Sequence, residues 1–543
     1  MTAPMESHCI PFTQIPHTSA LFSDYLYRFD RVARFYRHDP FAAGSFRAAA
    51  QEVSLSSETR AAVADVLAEQ NRQFGGDARC QENIQRLRRA DTLAVVTGQQ
   101  VGLFGGPAYS VYKALTAVQL AEKLTKEGLP AVPIFWLASE DHDFAEVNHC
   151  LLLDSQHQLL RLQDNSSHLE QAPVGEIAFD QSVRALCQQA LALWPGEAAS
   201  EGRKLLEGYA EGQSYTQAFA KLFNQLFAGR GLVLLDPRHP RLHQLARPIY
   251  ARAVAEAVEL RTLLQQRSRE IEQAGYHAQV HLRDNATLLF LTVNGQRQPL
   301  QRRRNGFFLP GQGEQLTDGL QAELERAPER FSPNALLRAV VQDSLLPTVA
   351  YVAGPGEIAY YAQASALYDR LLGRMPAIVP RLSFTLVERK VQRLLQKYKL
   401  SFPDLLENSE ARLHTRLAER HLPPRLQRRL ITTEAKMEKL LSEVAGQVSQ
   451  LDSTLAGAVE TSRRKMLYQF GKIRRKAGRA QTERTEIIER HLGMLVHSLY
   501  PQRGLQERQL NFLSFAARYG VGLVERLREQ GSVPCRDHQV IFL

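Results

Sequence analysis

The sequence has few cysteines and lacks the segments that mark secreted and membrane proteins. It contains five cysteines, an odd number with no CxxC pair, which argues against a disulfide framework and against a structural zinc site. They are Cys9, Cys80, Cys150, Cys187 and Cys535. No apolar run is long enough to span a bilayer, and the N-terminus has no basic segment followed by an apolar one, so neither a membrane span nor a secretory signal is expected. These absences favour a reducing cytoplasm.

Acidic residues are outnumbered by basic ones, which raises the question of a nucleic-acid partner. The net charge is +10 and the isoelectric point is near 9.3. The excess includes clusters at Arg302-Arg303-Arg304, Arg463-Arg464-Lys465 and Arg474-Arg475-Lys476. Aromatic residues are not interleaved with these clusters as stacking on single strands would need. We therefore favour solvated surface faces over nucleic-acid binding.

Five short apolar runs predict buried parallel strands. They span 93–97, 133–138, 231–236, 348–354 and 377–386. Because helical patterns separate them, we expect the α/β class, with a Rossmann-like doubly wound parallel core. Alternating patterns in 277–310, including HAQVHL, with turns at Asp284-Asn285 and Asn294-Gly295, predict antiparallel hairpins. Residues 150–225 are expected to be mostly helical.

The 543 residues exceed what one hydrophobic core usually holds, so two or three structural units are expected. The expected organisation is a helical N-terminus and the first half of the core in 1–150, insertions around a core strand at 231–236 in 151–340, the second half of the core in 341–387, a helical arm in 388–500, and C-terminal helices and a strand in 501–543. The first ninety residues are predicted to be helical, and the terminal DHQVIFL predicts a short edge strand.

The arm is predicted to be a long coiled coil. Glycine is sparse, charge is dense, and Pro423-Pro424 marks a helix start. Apolar residues recur by threes and fours at Met437, Leu440, Val444, Val448, Leu451, Leu455, Val459, Met466, Phe470 and Ile473. Such a seam must be covered, either by residues 387–397 and their successors folding back or by a second subunit, and a homodimer is the common outcome.

A glycine-rich loop follows the first strand and leads into a helix predicted to run to about Lys126. The candidate residues are Thr97, Gly98, Gln99, Gln100, Gly105, Gly106, Pro107, Tyr109 and Lys113. A strand, a glycine loop and a helix N-terminus together favour anion binding, because unpaired N–H groups and the helix dipole point at the ligand. The pattern is neither G-x-G-x-x-G nor a P-loop. The alternative is a tight turn that merely needs glycine.

Four ionisable residues, Glu140-Asp141-His142-Asp143, follow the second strand, with Asn148 and His149 close behind. Such a run is costly unless it faces a polar cleft. A histidine flanked by carboxylates is expected to have a raised pKa and to act as a general acid or base. Binding of a divalent metal is the alternative chemistry, and capping of the following helix, above all by Asp143, is the structural alternative.

A second Gly-Pro-Gly turn opens a helix after the fourth strand. It contributes Tyr351, Gly354, Pro355, Gly356, Glu357 and Tyr360 as candidates. The turn repeats the geometry of an anion site. Glu357 could equally stabilise the first helical turn, and the tyrosines could be packing residues. Arg381, near the end of the fifth strand, could bind a carboxylate or phosphate or could lie at the surface.

Four segments resemble, in the same order, the bacillithiol biosynthesis cysteine-adding enzymes, the BshC family. They are TGQQVGLFGGPAYSVYK, PIFWLASEDHDFAEVNH, TVAYVAGPGEIAYYAQ with MPAIVPRLSFTLVE, and LQERQLNFLSFAARYG. The resemblance implies a core similar to that of class I synthetases and nucleotidyl transferases, connective-peptide insertions and a coiled coil that makes a homodimer. It further implies a ligase that joins the carboxyl group of cysteine to the amine of glucosaminyl-malate.

The resemblance does not identify the activating co-substrate. No HIGH-type signature is present, and Lys436-Met437, which resembles part of a KMSKS loop, fits the coiled-coil seam. ATP, another nucleotide and a divalent metal are all open as cofactors. In the implied reaction His142, aided by Asp141 and Asp143, would deprotonate the attacking sugar amine or position a metal-bound phosphate, and Lys113 could neutralise developing phosphate charge. A synthetase-like RNA-binding protein and a sugar-nucleotide transferase remain alternative functions.

Overall fold

A computed structural model describes residues 5–281, 285–303, 306–310, 312–407, 409–420, 424–482 and 486–543. The chain divides into two compact units. The first takes in the described residues of 1–155, 159–385 and 506–541, and the second those of 156–158, 386–505 and 542–543. Within the described ranges no helix is long and apolar enough to cross a membrane.

The strands are β1 (Ser7–Ile10), β2 (Leu93–Gln99), β3 (Ala131–Leu137), β4 (His149–Leu153), β5 (Leu159–Gln163), β6 (Val233–Leu235), β7 (Ala286–Val293), β8 (Gln296–Arg303), β9 (Gly306–Leu309), β10 (Gly313–Gln315), β11 (Phe331–Pro333), β12 (Thr348–Ala353), β13 (Ala377–Pro380), β14 (Phe384–Val387) and β15 (His538–Phe542). The α-helices of the first unit are α1 (Ala20–Tyr27), α2 (Ser45–Glu52), α3 (Ser57–Phe74), α4 (Ala78–Leu87), α5 (Tyr109–Lys126), α6 (Phe144–Val147), α7 (Ser182–Ala192), α8 (Glu197–Leu205), α9 (Tyr215–Leu226), α10 (Pro240–Ala255), α11 (Ala257–Gln273), α12 (Thr317–Arg326), α13 (Ala335–Leu345), α14 (Pro355–Leu371), α21 (Gln506–Gln509), α22 (Leu513–Tyr519) and α23 (Gly522–Gln530). Those of the second unit are α15 (Arg389–Tyr398), α16 (Phe402–Glu407), α17 (Glu410–Arg420), α18 (Pro424–Leu451), α19 (Ala456–Thr482) and α20 (Glu486–Leu499).

A five-stranded parallel sheet forms the centre of the first unit, in the order β13-β12-β2-β3-β6. Counted along the chain this order is 5-4-1-2-3, which is the Rossmann order read from one edge. The five predicted parallel strands and the doubly wound core are confirmed. The chain runs from β2 outward to β6 and then returns to β12 on the other side of β2. The crevice between the carboxyl ends of β2 and β12 is therefore the topological switch point, where open α/β sheets bind ligands.

The fifth predicted strand is divided in two. β13 completes the parallel sheet and ends at Pro380, whereas β14 belongs to a different sheet of order β1-β15-β14. Two predictions are corrected by this second sheet. The terminal strand β15 lies between two neighbours and is not an edge strand, and the N-terminal ninety residues contain strand β1, which pairs with it. Long-range pairing of the two chain ends leaves no local sequence signal.

The insertions contain more strand than predicted in one place and less in another. Residues 150–225 are poor in strand, as predicted, and hold helices α7 to α9, but they also contain the antiparallel pair β4–β5, which was not predicted. The predicted hairpins of 277–310 are confirmed as part of a sheet of order β10-β9-β8-β7-β11. The turn at Asn294-Gly295 has positive φ at both residues, as a tight hairpin requires. The described part of HAQVHL is not a strand, and Asp284 and Arg304 lie outside the described residues.

The arm in the second unit is confirmed as helical, and α18 packs against α19 as a hairpin. Arg474 Nη1 lies 2.6 Å from Glu434 Oε2 across the pair. The segment predicted to fold back on the seam, 387–397, lies mostly in α15 and packs mainly against α17 and α20. The hairpin covers the seam only in part. Met437, Val448, Val459 and Phe470 are partly buried, whereas Leu440, Val444, Leu451, Leu455, Met466 and Ile473 are exposed. α18 begins at Pro424, and Pro423 lies outside the described residues.

Basic residues of the arm pair with carboxylates of the same arm, as solvated helix faces do. Arg463 and Arg464 both contact Glu460, at 2.8 Å and 3.8 Å, and Arg474 contacts Glu434. The pairing lowers the surplus charge that a nucleic acid would meet.

Candidate functional site

A cavity of about 430 Å³ lies at the switch point between β2 and β12. Twelve predicted site residues line it, namely Gly98, Gln99, Gln100, Tyr109, Lys113, Tyr351, Gly354, Pro355, Gly356, Glu357, Tyr360 and Arg381. Lining residues that the sequence did not single out are Trp136, Ala138, Glu146, Gln279, Val280, Ala335, Arg338 and Arg508. The two glycine turns thus face one crevice, as their positions after neighbouring parallel strands predict.

Gly98 allows the strands to approach at the edge of this cavity. It pairs with Trp136 across β2 and β3, and a Cβ added at Gly98 would lie 2.8 Å from the Trp136 carbonyl oxygen. Any side chain there would force the strands apart. The glycine is therefore required by the sheet as well as by the crevice.

A buried ion pair between Lys113 and Glu357 joins the two walls of the cavity. Lys113 Nζ contacts Glu357 Oε2 and also donates to the Gly98 carbonyl at 2.8 Å and to Gln99 Oε1 at 3.0 Å. Burial would raise the pKa of Glu357, but Lys113 opposes this effect and holds that pKa below its ordinary value. Burial lowers the pKa of Lys113, against the opposing charge of Glu357. Lys113 therefore lines the cavity with its charge already paired to Glu357.

Glu357 serves the helix and the cavity together. Its Oε2 accepts from the Gly354 N–H at 2.8 Å, and its Oε1 accepts from the Tyr351 hydroxyl at 2.7 Å. The first contact stabilises the start of α14, which has Pro355 at its first position. The helix-stabilising alternative is confirmed by this contact, and the same side chain lines the cavity, where a role in substrate binding stays a prediction.

Arg381 is held in place by a residue far along the chain. Its Nη2 donates to Glu507 Oε1 at 2.6 Å, and its Nη1 donates to the Leu382 carbonyl at 3.0 Å. Glu507 is fully buried and also accepts from Ser383 Oγ at 2.8 Å. Ser383 in turn contacts His538 Nδ1 at 2.7 Å, and burial lowers the pKa of His538 to about 4. The surface alternative for Arg381 is excluded, because the side chain is buried against Glu507.

Arg338 contributes a cation from α13. Its Nη2 donates to the Tyr360 hydroxyl at 2.7 Å and its Nη1 to Gln342 Oε1 at 3.2 Å. The guanidinium carbon lies 5.9 Å from the centre of the Tyr351 ring. Tyr351 and Tyr360 therefore take part in the polar lining as well as in packing.

Gln100 connects the cavity to the acidic loop after β3. Its Nε2 donates to Asp141 Oδ2 and to Glu146 Oε2, both at 2.8 Å. None of the four residues Glu140 to Asp143 lines the cavity itself. The contact through Gln100 is the route by which this loop reaches it.

His142 lies against an arginine of the antiparallel insertion. Arg297 Nη1 donates to His142 Nδ1 at 3.2 Å, while the other nitrogens of Arg297 donate to Ser332 Oγ and the Pro333 carbonyl. Burial and the Arg297 charge lower the pKa of His142, although Asp141 and Asp143 oppose them. The expectation of a raised pKa is therefore wrong. Sequence neighbours supply carboxylates, but a residue 155 positions away supplies the nearest cation.

Glu140 is half-buried and turns away from its loop neighbours, towards α10. Its Oε1 lies 3.6 Å from His243 Nε2. Burial raises the pKa of Glu140 to about 7 despite Arg297, and burial lowers the pKa of His243 to about 4. Such a pair keeps little net charge in the interior.

The remaining candidates after β3 have structural partners. Asp143 accepts from the Glu146 N–H at 3.2 Å and caps α6, as its alternative role predicts. Asn148 donates to the Asp164 carbonyl at 3.1 Å, and His149 Nδ1 lies 3.1 Å from the Ala145 carbonyl. In the part of the chain described, no group of three or more His, Cys, Asp or Glu side chains could hold a metal ion.

Gly105, Gly106 and Pro107, directly ahead of α5, are packed and do not line the cavity. Asn511 Nδ2 donates to the carbonyls of Phe104 and Gly106 at 2.9 Å and 2.7 Å. Gly105 and Gly106 have positive φ, and Pro107 bridges to Asn511 ahead of the helix start at Tyr109. Thr97 donates to the Val352 carbonyl at 2.9 Å within the sheet. At Gly105, Gly106 and Pro107 the tight-turn alternative describes the structure better than an open anion site.

Comparisons with known proteins cover both units. The family model described as bacillithiol biosynthesis BshC, N-terminal Rossmann-like domain, matches residues 5–382, and the one described as its C-terminal coiled-coil domain matches residues 384–543. A BshC protein of Koribacter versatilis, to which cysteine ligase activity is ascribed, is 41% identical over 98% of this chain and 99% of its own. BshC proteins of Solibacter usitatus and Salinibacter ruber, with the same ascription, are 39% and 33% identical, over 99% and 100% of this chain and 100% of each relative.

Proposed function

This chain belongs to the bacillithiol biosynthesis BshC family, and we propose that it is a ligase joining the carboxyl group of cysteine to the amine of glucosaminyl-malate. The observation that carries the proposal is the cavity at the switch point, where Lys113, Arg338, Arg381 and Arg508 meet. Glucosaminyl-malate has two carboxylates and cysteine has one. A cavity lined by several cations is complementary to such substrates.

The size and lining of the cavity suit small polar substrates. Its volume of about 430 Å³ is in the range of small-molecule sites. Gln99, Tyr109, Tyr351 and Tyr360 supply hydrogen-bonding side chains for hydroxyl and carboxyl groups. Specific contacts of this kind would orient the sugar amine towards the cysteine carboxyl group.

Amide formation from a free carboxylate needs an activating group, and we propose a nucleotide such as ATP as its source. A bound nucleotide would supply the activating group, which would depart together with one carboxyl oxygen of cysteine. The first turn of α14 borders the cavity at Gly354, Pro355 and Gly356. Pro355 has no N–H and the Gly354 N–H already donates to Glu357, so the Gly356 N–H and the helix dipole are the features that favour an anion there. Lys113 is also close, but its charge is already offset by Glu357.

We propose that His142 positions the acidic loop and does not act as the general base. Because arginine can only donate, the Arg297 contact makes His142 Nδ1 the acceptor, so the neutral ring carries its proton on Nε2. Replacement by asparagine keeps an acceptor for Arg297, whereas alanine does not. His142→Asn should therefore retain most of the ligation rate that His142→Ala loses, and equal loss in both would favour a base. His17→Asn, on an exposed residue, is the control.

The ligase assignment is tested by mass spectrometry of the products. Purified protein is incubated with cysteine and glucosaminyl-malate, with and without ATP, and the expected product has the mass of both substrates less one water. Lys113→Met should lower this rate, whereas Lys126→Met, exposed on the same helix, should not. A protein that forms no cysteine-dependent product with any nucleotide, or that modifies the sugar without cysteine, contradicts the assignment.

We further propose a homodimer through the arm, in the cytoplasm. Leu440, Val444 and Leu451 on α18, with Met466 and Ile473 on α19, leave apolar surface exposed that a second copy would cover. Light scattering should give twice the monomer mass of 61.2 kDa. The double variant Leu440→Glu/Val444→Glu should reduce the measured mass to that of one monomer. An unchanged dimer would place the interface elsewhere. The five free cysteines suit the reducing compartment, which cell fractionation would test.

A further inference from the structure

Arg338 differs from the other enclosed cations of the cavity because no described carboxylate lies within ion-pair distance of it, although Glu357 attracts it from farther away. Lys113 pairs with Glu357, and Arg381 pairs with Glu507. Among the residues that the structure describes, no carboxylate lies within 4.0 Å of Arg338, whose partners are a tyrosine hydroxyl and a glutamine oxygen. A partly buried cation without a carboxylate is unfavourable unless a ligand supplies one.

The carboxylates that line the cavity are not placed to fill this role. Glu357 already accepts from Lys113, Tyr351 and Gly354. Glu146 accepts from Gln100. Since both carboxylates have other partners, the charge of Arg338 is directed to whatever occupies the cavity.

We propose that Arg338 determines specificity by binding a carboxylate of the malyl group. This inference rests on the proposed function and assigns one of its substrates to one wall. A guanidinium has five N–H donors in a planar fork, and two are used here by Tyr360 and Gln342. The remaining donors suit the two coplanar oxygens of a carboxylate.

The same chemistry would bind other oxyanions, so the source of the oxyanion must be tested directly. The cysteine carboxylate and a nucleotide phosphate are the two competitors. Arg338 lies on α13, whereas the helix start that favours a phosphate belongs to α14. This separation is the reason for assigning the malyl carboxylate to Arg338.

The experiment measures binding by calorimetry, without turnover, for wild type and Arg338→Gln. The ligands are glucosaminyl-malate, the two analogues that each lack one malyl carboxylate, cysteine and ATP. Loss of a charge-assisted contact should weaken glucosaminyl-malate by about 10- to 100-fold in Arg338→Gln. Cysteine and ATP should change by no more than about twofold. One analogue should bind both proteins equally weakly, because the contact it lacks is the one the variant lacks.

Two further variants keep the result interpretable. Arg338→Lys retains the charge without the fork and should bind with intermediate affinity, even if Arg338→Gln is poorly folded. Arg326→Gln, on an exposed arginine of α12, should bind as wild type does. The assignment is overturned if Arg338→Gln loses affinity only for ATP or only for cysteine. It is also overturned if the substitution weakens the binding of both analogues by the same factor. Wild type that binds glucosaminyl-malate through Arg338 but forms no amide would contradict the ligase proposal alone.

Discussion

Removal of one partner from the Lys113–Glu357 pair should lower the free energy of unfolding of the first unit. The remaining hydrogen bonds of the other partner should limit this loss. The side chains are 3% and 16% exposed, so the pair is largely withdrawn from solvent. Lys113→Met leaves the Glu357 carboxylate with the Tyr351 hydroxyl and the Gly354 N–H as partners. Glu357→Gln leaves Lys113 with Gly98 and Gln99.

The expected magnitude follows from these residual bonds. Breaking a buried pair by removing one partner typically costs about 3–5 kcal/mol of unfolding free energy. Two remaining hydrogen bonds partly satisfy the isolated charge, so we expect a loss near the lower limit, about 3 kcal/mol, for Lys113→Met. The double variant Lys113→Met/Glu357→Gln leaves no isolated charge and should lose less than the sum of the single variants, with a coupling of about 1–3 kcal/mol.

Tryptophan fluorescence during chemical denaturation reports on the relevant unit. The chain has two tryptophans, and both Trp136 and Trp194 are buried in the first unit. Lys126→Met, at the exposed end of the same helix, should change the free energy by no more than about 0.5 kcal/mol. Additive losses in the double variant, within about 0.5 kcal/mol, would refute the coupling, and wild-type stability of Lys113→Met would refute the buried pair itself.

Two further predictions concern polar groups outside the cavity lining, the half-buried Glu140 and the buried Asn511. Burial raises the pKa of Glu140 from 4.5 to about 7, so the stability that its proton provides is full below pH 4.5 and is lost as the pH rises to 7. Between pH 4.5 and 7.5 the free energy of unfolding of Glu140→Gln should therefore rise by up to about 3 kcal/mol relative to that of wild type, as measured by denaturation curves. Glu58→Gln, at an exposed position, should show no such trend. Asn511→Ala removes the donor from two buried carbonyls and should lower the free energy of unfolding by about 3 kcal/mol in the same assay. Asn165→Ala, at an exposed position, should cause no measurable change. Equal stability of the two variants would mean that the loop before α5 does not depend on Asn511.

The parallel core could be predicted because its signals are local. Runs such as 93–97 and 348–354 are apolar, short and bounded by turns, and a strand buried on both faces needs nothing else. Pairing between distant segments has no such signal. The sheet of β1, β14 and β15 depends on contacts between distant parts of the chain, including its two ends. For this reason β15, whose sequence predicts an edge strand, lies at the centre of the sheet.

The cavity shows the same division between local and distant signals. Gly98 and Gly354 mark strand ends, and the rule that ligands bind at those ends was sufficient to place both at one crevice. Arg338 and Glu507 could not be found in this way. Arg338 lies within an ordinary helical pattern, and Glu507 reaches the cavity only by holding Arg381, 126 positions earlier in the chain.

The acidic loop after β3 illustrates why a charge cannot be assigned from its sequence neighbours. Three carboxylates lie within two residues of His142 in the sequence, and they would raise its pKa if they were its closest charged groups. In the fold, Glu140 is turned towards His243, Asp143 caps a helix and Asp141 accepts from Gln100. The space beside the imidazole is taken by Arg297 of β8, so burial and a cation decide its protonation. The antiparallel insertion that supplies Arg297 therefore sets the chemical state of a loop in the Rossmann core, and any role of that loop in ligation depends on both.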